Sequence, residues 1–166
     1  QRANENVGAF VGTTVVPMTS EQLLADHTVI VRGDRIATIG PRAKTPVPRG
    51  ARRIVARGTF LIPGLTDMHS HLPEPSESKE YLDSVLFLFL ANGVTTVRGT
   101  LGLPGHLGLR EQANRGAIVA PTLYLAGPSI DGDVDHSAAD VERLVRQNHA
   151  EGWDFFKVLR GISSAD

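Results

Sequence analysis

Apolar and polar positions along this chain change period several times, and each change marks an element. Thr28-Val29-Ile30-Val31-Arg32 and Arg35-Ile36-Ala37-Thr38-Ile39-Gly40 flank Gly33-Asp34, which predicts a β-hairpin across a two-residue turn. An apolar run at Phe60-Leu61-Ile62, a Pro63-Gly64 turn and a second run follow, and this last run ends in His69-Ser70-His71. From Ser78 to Asn92 the period becomes helical. Tyr81, Leu82, Val85, Leu86, Leu88, Phe89 and Leu90 form a broad apolar face, and Gly93 suits a left-handed cap. Val94-Thr95-Thr96-Val97 reads as a strand, Leu109 to Arg115 as a short helix closed by Gly116, and Thr122 to Ala126 as the next strand. Ala138 to Ala150 is amphipathic, with Val141, Leu144 and Val145 on one side and Gly152 beyond its end, and Phe155 to Leu159 reads as a further strand. Strand and helix thus alternate, as a parallel α/β architecture requires.

Composition narrows the field. The 166 residues suffice for one domain, or for a small domain and part of another. A formal net charge of −1, with both signs interspersed, gives no nucleic-acid footprint. The hydrophobic fraction of 41% is that of an ordinary globular protein. The absence of cysteine excludes disulfides and thiolate metal sites and leaves the compartment open. The most apolar run, Val85 to Leu90, is too short to span a bilayer, so no membrane partner is expected. The chain opens on Gln1 rather than Met, which is compatible with a cytoplasmic protein, with an exported one whose leader was removed, or with a cut piece.

Two positions carry candidate chemistry. On a strand, side chains two apart share a face, so His69 and His71 would project together about 7 Å apart and could hold a divalent metal. For an isolated pair of this kind, two histidines at a loop edge is the competing reading. By the same alternation Asp67 shares their face and could support them or approach a ligand. Lys157 stands between Phe156 and Val158. A buried lysine is costly unless paired or neutral, and a neutral amine can take up carbon dioxide as a carbamate; the alternative is a lysine snorkelling to water. Arg98 could bind a substrate carboxylate or make a surface ion pair, and His136 could line a pocket from its loop. His27, His106 and His149 read as solvated surface residues.

The string F-L-I-P-G-L-T-D-M-H-S-H-L resembles the strand-1 signature of the amidohydrolase superfamily. The hairpin V-I-V-R-G-D-R-I-A-T-I-G, the lead-in A-R-R-I-V-A-R-G-T-F-L-I-P-G and the later A-N-G-V-T-T-V-R and A-E-G-W-D-F-F-K-V are similar to that family's landmarks in the same order. The resemblance implies an α/β chain: a small N-terminal β-sandwich portion over residues 1–60, then the first half of a (β/α)8 TIM-type barrel, strands 1 to 4, over residues 61–166. It implies a metal-dependent hydrolase of carbon–nitrogen bonds, amide, peptide-like or cyclic amide, in which an activated hydroxide attacks a carbonyl of a small-molecule substrate. His69, His71 and Lys157 take the places of metal ligands, with carboxylated Lys157 bridging two divalent ions. Zinc comes foremost, with manganese, iron and nickel open. G-W-D-F-F-K-V is more like the lysine-bridged branch containing dipeptidases than the one-metal deaminase branch.

The family's strand-5 and strand-6 histidines and its proton-shuttling strand-8 aspartate would fall beyond Asp166, so no catalytic residue is assigned. Asp67, Arg98 and His136 remain candidates for supporting the metal or meeting substrate. Many relatives carry an acidic residue where this chain has Gly99, so no role is built on that acid. A half-barrel has two open sheet edges, which implies either a missing C-terminal half or a homo-oligomer. The alternative function is that of a truncated, catalytically incomplete fragment serving as a structural or assembly piece.

Overall fold

Val7–Val15 (β1) lies at the middle of the first sheet, with a partner on each side. The computed structural model describes residues 6–130 and 137–159, and the chain separates into two units, 1–63 and 64–166. In the first, β1 runs antiparallel to β2 (Leu24–Arg32) and parallel to β4 (Arg52–Val55) and β5 (Phe60–Leu61). The hairpin partner β3 (Arg35–Pro41) borders β2. Arg32 pairs with Arg35, and Gly33 takes the positive φ of +59° that so tight a turn needs.

Ala9, Val11 and Ile30 form this unit's buried cluster, with Val7 and Val47 against it. The register of β1 slips on either side of Thr13, whose hydroxyl donates to the Thr59 carbonyl at 3.1 Å. The described strands of this unit form one five-stranded sheet, because β1 pairs through both edges and draws β2, β4 and β5 into one ladder.

In the second unit, β6 (Leu65–Ser70), β7 (Val94–Gly99) and β8 (Thr122–Leu125) are parallel and adjacent in chain order. They alternate with α1 (Lys79–Ala91), α2 (His106–Asn114) and α3 (Ala138–Glu151). The helix ends follow local chemistry. Ser78 Oγ accepts from Tyr81 N at 3.2 Å to start α1. Ser137 and Asp140 form a reciprocal capping box that starts α3, and Gly152 ends it in the left-handed region at φ +91°.

Leu86, Val97, Leu109, Leu123 and Leu125, with Leu72 and Trp153, make one core between these helices and one face of the sheet. The broad apolar face of α1 is only partly used: Leu86 is buried, whereas Tyr81, Phe87 and Leu88 are exposed among the described residues.

The segment Phe155–Leu159 continues the sheet as two parallel bridges, Ala126 with Phe155 and Ile130 with Val158, rather than as an unbroken strand. Four residue steps separate Ala126 from Ile130 and three separate Phe155 from Val158, so the ladder cannot keep register. Pro128 also has no N–H to offer it. No helix among the described residues is long and apolar enough to cross a membrane.

Candidate metal centre

The end of β6 is where the alternation of the second sheet breaks. Asp67 pairs with Val97 and Ser70 with Gly99, so three steps on β6 match two on β7, which is a bulge. Burial follows the slip: Asp67 and Ser70 are half-buried and Leu72 is buried, whereas Met68, His69 and His71 are all exposed. The bulge therefore turns both histidines to the exposed side with Met68 and leaves Asp67 on the other. Strict alternation had put Asp67 on the histidine face; instead its Oδ1 accepts the backbone N–H of His69 at 3.0 Å. An aspartate there fastens the bulge from behind.

The two imidazoles come together, with ring centroids 5.7 Å apart and planes tilted by 38°. Their side chains are open, but the backbone around them is tied. Thr100 N donates to the Ser70 carbonyl at 2.8 Å, and the Thr100 hydroxyl approaches the same oxygen at 3.4 Å. Leu72, next after His71, is anchored in the core. Pro73 then gives its carbonyl to a ring nitrogen of His106 at 3.0 Å. Exposed donors on a fixed frame suit ligand capture, because little ordering remains to be done on binding.

Alternate residues of the strands line a shallow cavity of about 300 Å³ on the open side, among them Thr66, Met68, Thr96, Arg98, Tyr124 and Phe155. The Arg98 guanidinium lies 4.2 Å from the centroid of the Phe155 ring, a cation–π contact. It makes no ion pair with a described residue, so the surface ion pair weighed against a substrate role is not what holds it. Below it, Asp154 Oδ2 accepts from Leu125 N at 2.8 Å and from Arg110 Nη1 at 2.5 Å.

Lys157 is half-buried, and its carbonyl accepts from Ile130 N at 2.9 Å. Two strands intervene between its segment and β6, so three spacings separate lysine and histidines along the sheet, roughly 14 Å. No group of three or more His, Cys, Asp or Glu side chains gathers for a metal among the described residues. The structure thus joins His69 to His71 and does not join Asp67 to them. His136 lies outside the described residues.

One of the remaining histidines departs from expectation. His149 is exposed and His27 half-buried, but His106 is fully buried. Its position at the first turn of a short amphipathic helix hid this, since its partners, Leu103 and Pro73, lie in the loops after β7 and β6. Thr100 was likewise passed over, and no sequence signal marks its bond to Ser70.

The sequence model of the amidohydrolase family matches residues 60–158, and the chain belongs to that family. Imidazolonepropionase from Yersinia pestis (strain Pestoides F) is 37% identical over 101 residues, covering 55% of this chain and 25% of the relative. Among solved structures, molinate hydrolase superposes with a TM-score of 0.79 at 22% identity, covering 93% of this chain and 45% of that one. A Xaa-Pro dipeptidase with methionine bound in its active site gives 0.74 at 20% identity, covering 92% and 46%. These two likenesses show the fold. The chain spans about a quarter of the length of the curated relatives it matches and under half that of these solved chains.

Proposed function

We propose that this chain carries the metal-binding first half of a hydrolase acting on carbon–nitrogen bonds, its second unit being strands 1 to 4 of a (β/α)8 barrel. The observation that carries the reading is the pair His69 and His71, 5.7 Å apart between ring centroids on a pinned strand end. The pair also passes a test of fit. Both rings are exposed, neither is hydrogen-bonded to a described residue, and neutral imidazole suits zinc and its divalent neighbours. His69 and His71 would hold the ion. Lys157, as a carbamate, would add oxygen ligands and bridge to a second ion.

A bound ion of this kind supplies Lewis acidity and a water pKa near 7. The chain's own residues supply the positioning. Asp67 fixes the backbone of His69, and Thr100 fixes that of Ser70 between the two histidines. Arg98, stacked on Phe155, offers a fixed cation to a substrate carboxylate. The apolar surfaces of Met68, Tyr124 and Phe155 keep water from the open face once a substrate lies there. The imidazolonepropionase and dipeptidase likenesses support a small cyclic amide or peptide-like substrate.

The test is hydrolysis of a panel of dipeptides and cyclic amides by the zinc-loaded protein and by His69→Ala and His71→Ala. Each substitution is expected to lower activity by more than the roughly 10- to 100-fold that loss of an outer hydrogen-bond partner costs. Unchanged turnover in both variants would sink the reading. A second reading, an incomplete fragment that acts only when assembled, is favoured by the lack of a three-residue ligand cluster among the described residues. It predicts metal binding without turnover until a complementing polypeptide is added.

A further inference from the structure

His106 is the first residue of α2 and has no solvent-exposed surface. A buried imidazole costs free energy unless its nitrogens are bonded, and here both are. Leu103 N donates to Nδ1 at 3.2 Å, which leaves the proton on Nε2, and Nε2–H donates to the Pro73 carbonyl at 3.0 Å. The first bond closes a turn, because His106 N donates back to the Leu103 carbonyl at 3.1 Å. The second reaches 33 positions along the chain to the loop that leaves the histidine strand. The two loops touch again where a Cβ on Gly105 would come within 2.9 Å of Pro75 Cβ.

We propose that His106 is a positioning residue for the His69/His71 pair, tying the exit of the histidine strand to the exit of its neighbour. The proposal rests on the metal-site reading above. His71 lies between two tethers, Ser70 held by Thr100 and Pro73 held by His106. His69 is fixed independently by Asp67. Loss of the imidazole removes one of the two holds on the far side of His71, leaving only buried Leu72 there, and loosens the pair, while the bulge that aims His69 stays in place. A buried residue serving only to fill space would be met equally well by leucine. An acceptor for one loop and a donor for the other, on a single rigid ring, are what the two backbone groups require.

The experiment is a Co²⁺ titration of the whole chain followed by visible absorption, with folding checked by circular dichroism. Wild type, H69A/H71A, H106L, H106Q and L109A are compared. H106L should bind Co²⁺ about 10- to 100-fold more weakly, the usual cost of removing a group that orients a ligand. H106Q, whose amide can accept from Leu103 and donate to Pro73, should recover most of the affinity. L109A loosens the same helix from the core and should lower stability with no change in Co²⁺ affinity.

Wild-type affinity in folded H106L would overturn the proposal. Equal weakening in H106L and H106Q, or in L109A, would also overturn it by reducing His106 to packing. If H106L does not fold, H106N, too short to span both partners, replaces it under the same criteria. Absence of Co²⁺ binding by wild type, or equal binding by H69A/H71A, would remove the metal site itself, which separates that failure from the failure of His106.

Discussion

The parallel sheet of the second unit has two faces that behave as though they belonged to different proteins. One carries Val97, Leu123 and Leu125, sealed beneath Leu86 and Leu109. The other carries Met68 and Tyr124, 59% and 51% exposed, together with Arg98 and Phe155. The same strands supply both, since residues 97 and 98, or 123 and 124, point opposite ways. Folding free energy is gathered on one side, and the other keeps polar and aromatic side chains open, where they need not pack against a helix. The bulge after Asp67 joins the two regimes: it shifts the phase of β6, and both histidines are exposed while Leu72, next in the chain after them, returns to the core.

Leu86→Ala is the hardest test of this division. It empties a fully buried site and should cost about 2–5 kcal/mol, read from denaturant unfolding. Met68→Ala, on the open face of the same unit, should stay within about 0.5 kcal/mol. A comparable loss for Met68→Ala would mean that the open face is covered in the folded protein, and the contrast would fall.

Asp154 stands where the two faces meet. Its Oδ2 accepts from Leu125 N, at the end of a sealed strand, and from Arg110 of α2. Asp154→Ala leaves the Leu125 amide without that partner and should cost about 1–3 kcal/mol, whereas Asp154→Asn retains an acceptor and should cost less. Hydrogen exchange at the Leu125 amide would show whether the loss is local. Unaltered protection there in Asp154→Ala would remove Asp154 from the account of how the faces are joined.

What could be read from the sequence follows the range of the interactions involved. The hairpin, α1 and α3 were legible because their signals are local: Gly33 for the turn, Ser78 and Gly93 around α1, Gly152 after α3. The closeness of the two histidines was legible for the same reason, since they stand two residues apart in the chain at the end of β6. β1 was passed over, although Val7 to Val16 is rich in β-branched residues; Gly8 and Gly12 interrupt its pattern. The face of Asp67 was misjudged because a bulge is a property of two strands. The burial of His106 depends on a carbonyl 33 positions away. The break in the expected strand from Phe155 to Leu159 needs Pro128 and the unequal spacing of the two bridges considered together.

A smaller effect is expected at α3, whose packing end meets the sheet through Asn148, close enough that a Cβ on Gly127 would lie 2.4 Å from its Nδ2. Ser137→Ala removes the side chain that accepts from Asp140 N and should cost about 1 kcal/mol, seen as a lower unfolding temperature. Because the substitution sits at the far end of the helix from Asn148, Co²⁺ affinity at the histidine pair should not change. A parallel loss of affinity would show that the open face depends on this helix, contrary to the division drawn above.

The least effect, and the one most specific in sign, is the acid dependence of the same cap. Hydrogen bonds from the Ser137 side chain, and next from Arg143, hold the Asp140 carboxyl below its ordinary value of 3.8. In the unfolded chain Asp140 takes up its proton as the pH falls through 3.8, while the folded carboxylate stays ionised to lower pH. Between those two points the unfolded state binds more protons, so stability falls with falling pH. The contribution of Asp140 is therefore complete above the ordinary value and is lost as the pH drops through the lower, folded one. Ser137→Ala removes the first cause of the lowering and should flatten this part of the profile, as should Asp140→Asn. Unfolding temperatures measured from pH 6 down to 3 in the three proteins test it, and identical slopes would show that the capping box carries no pH-dependent stability.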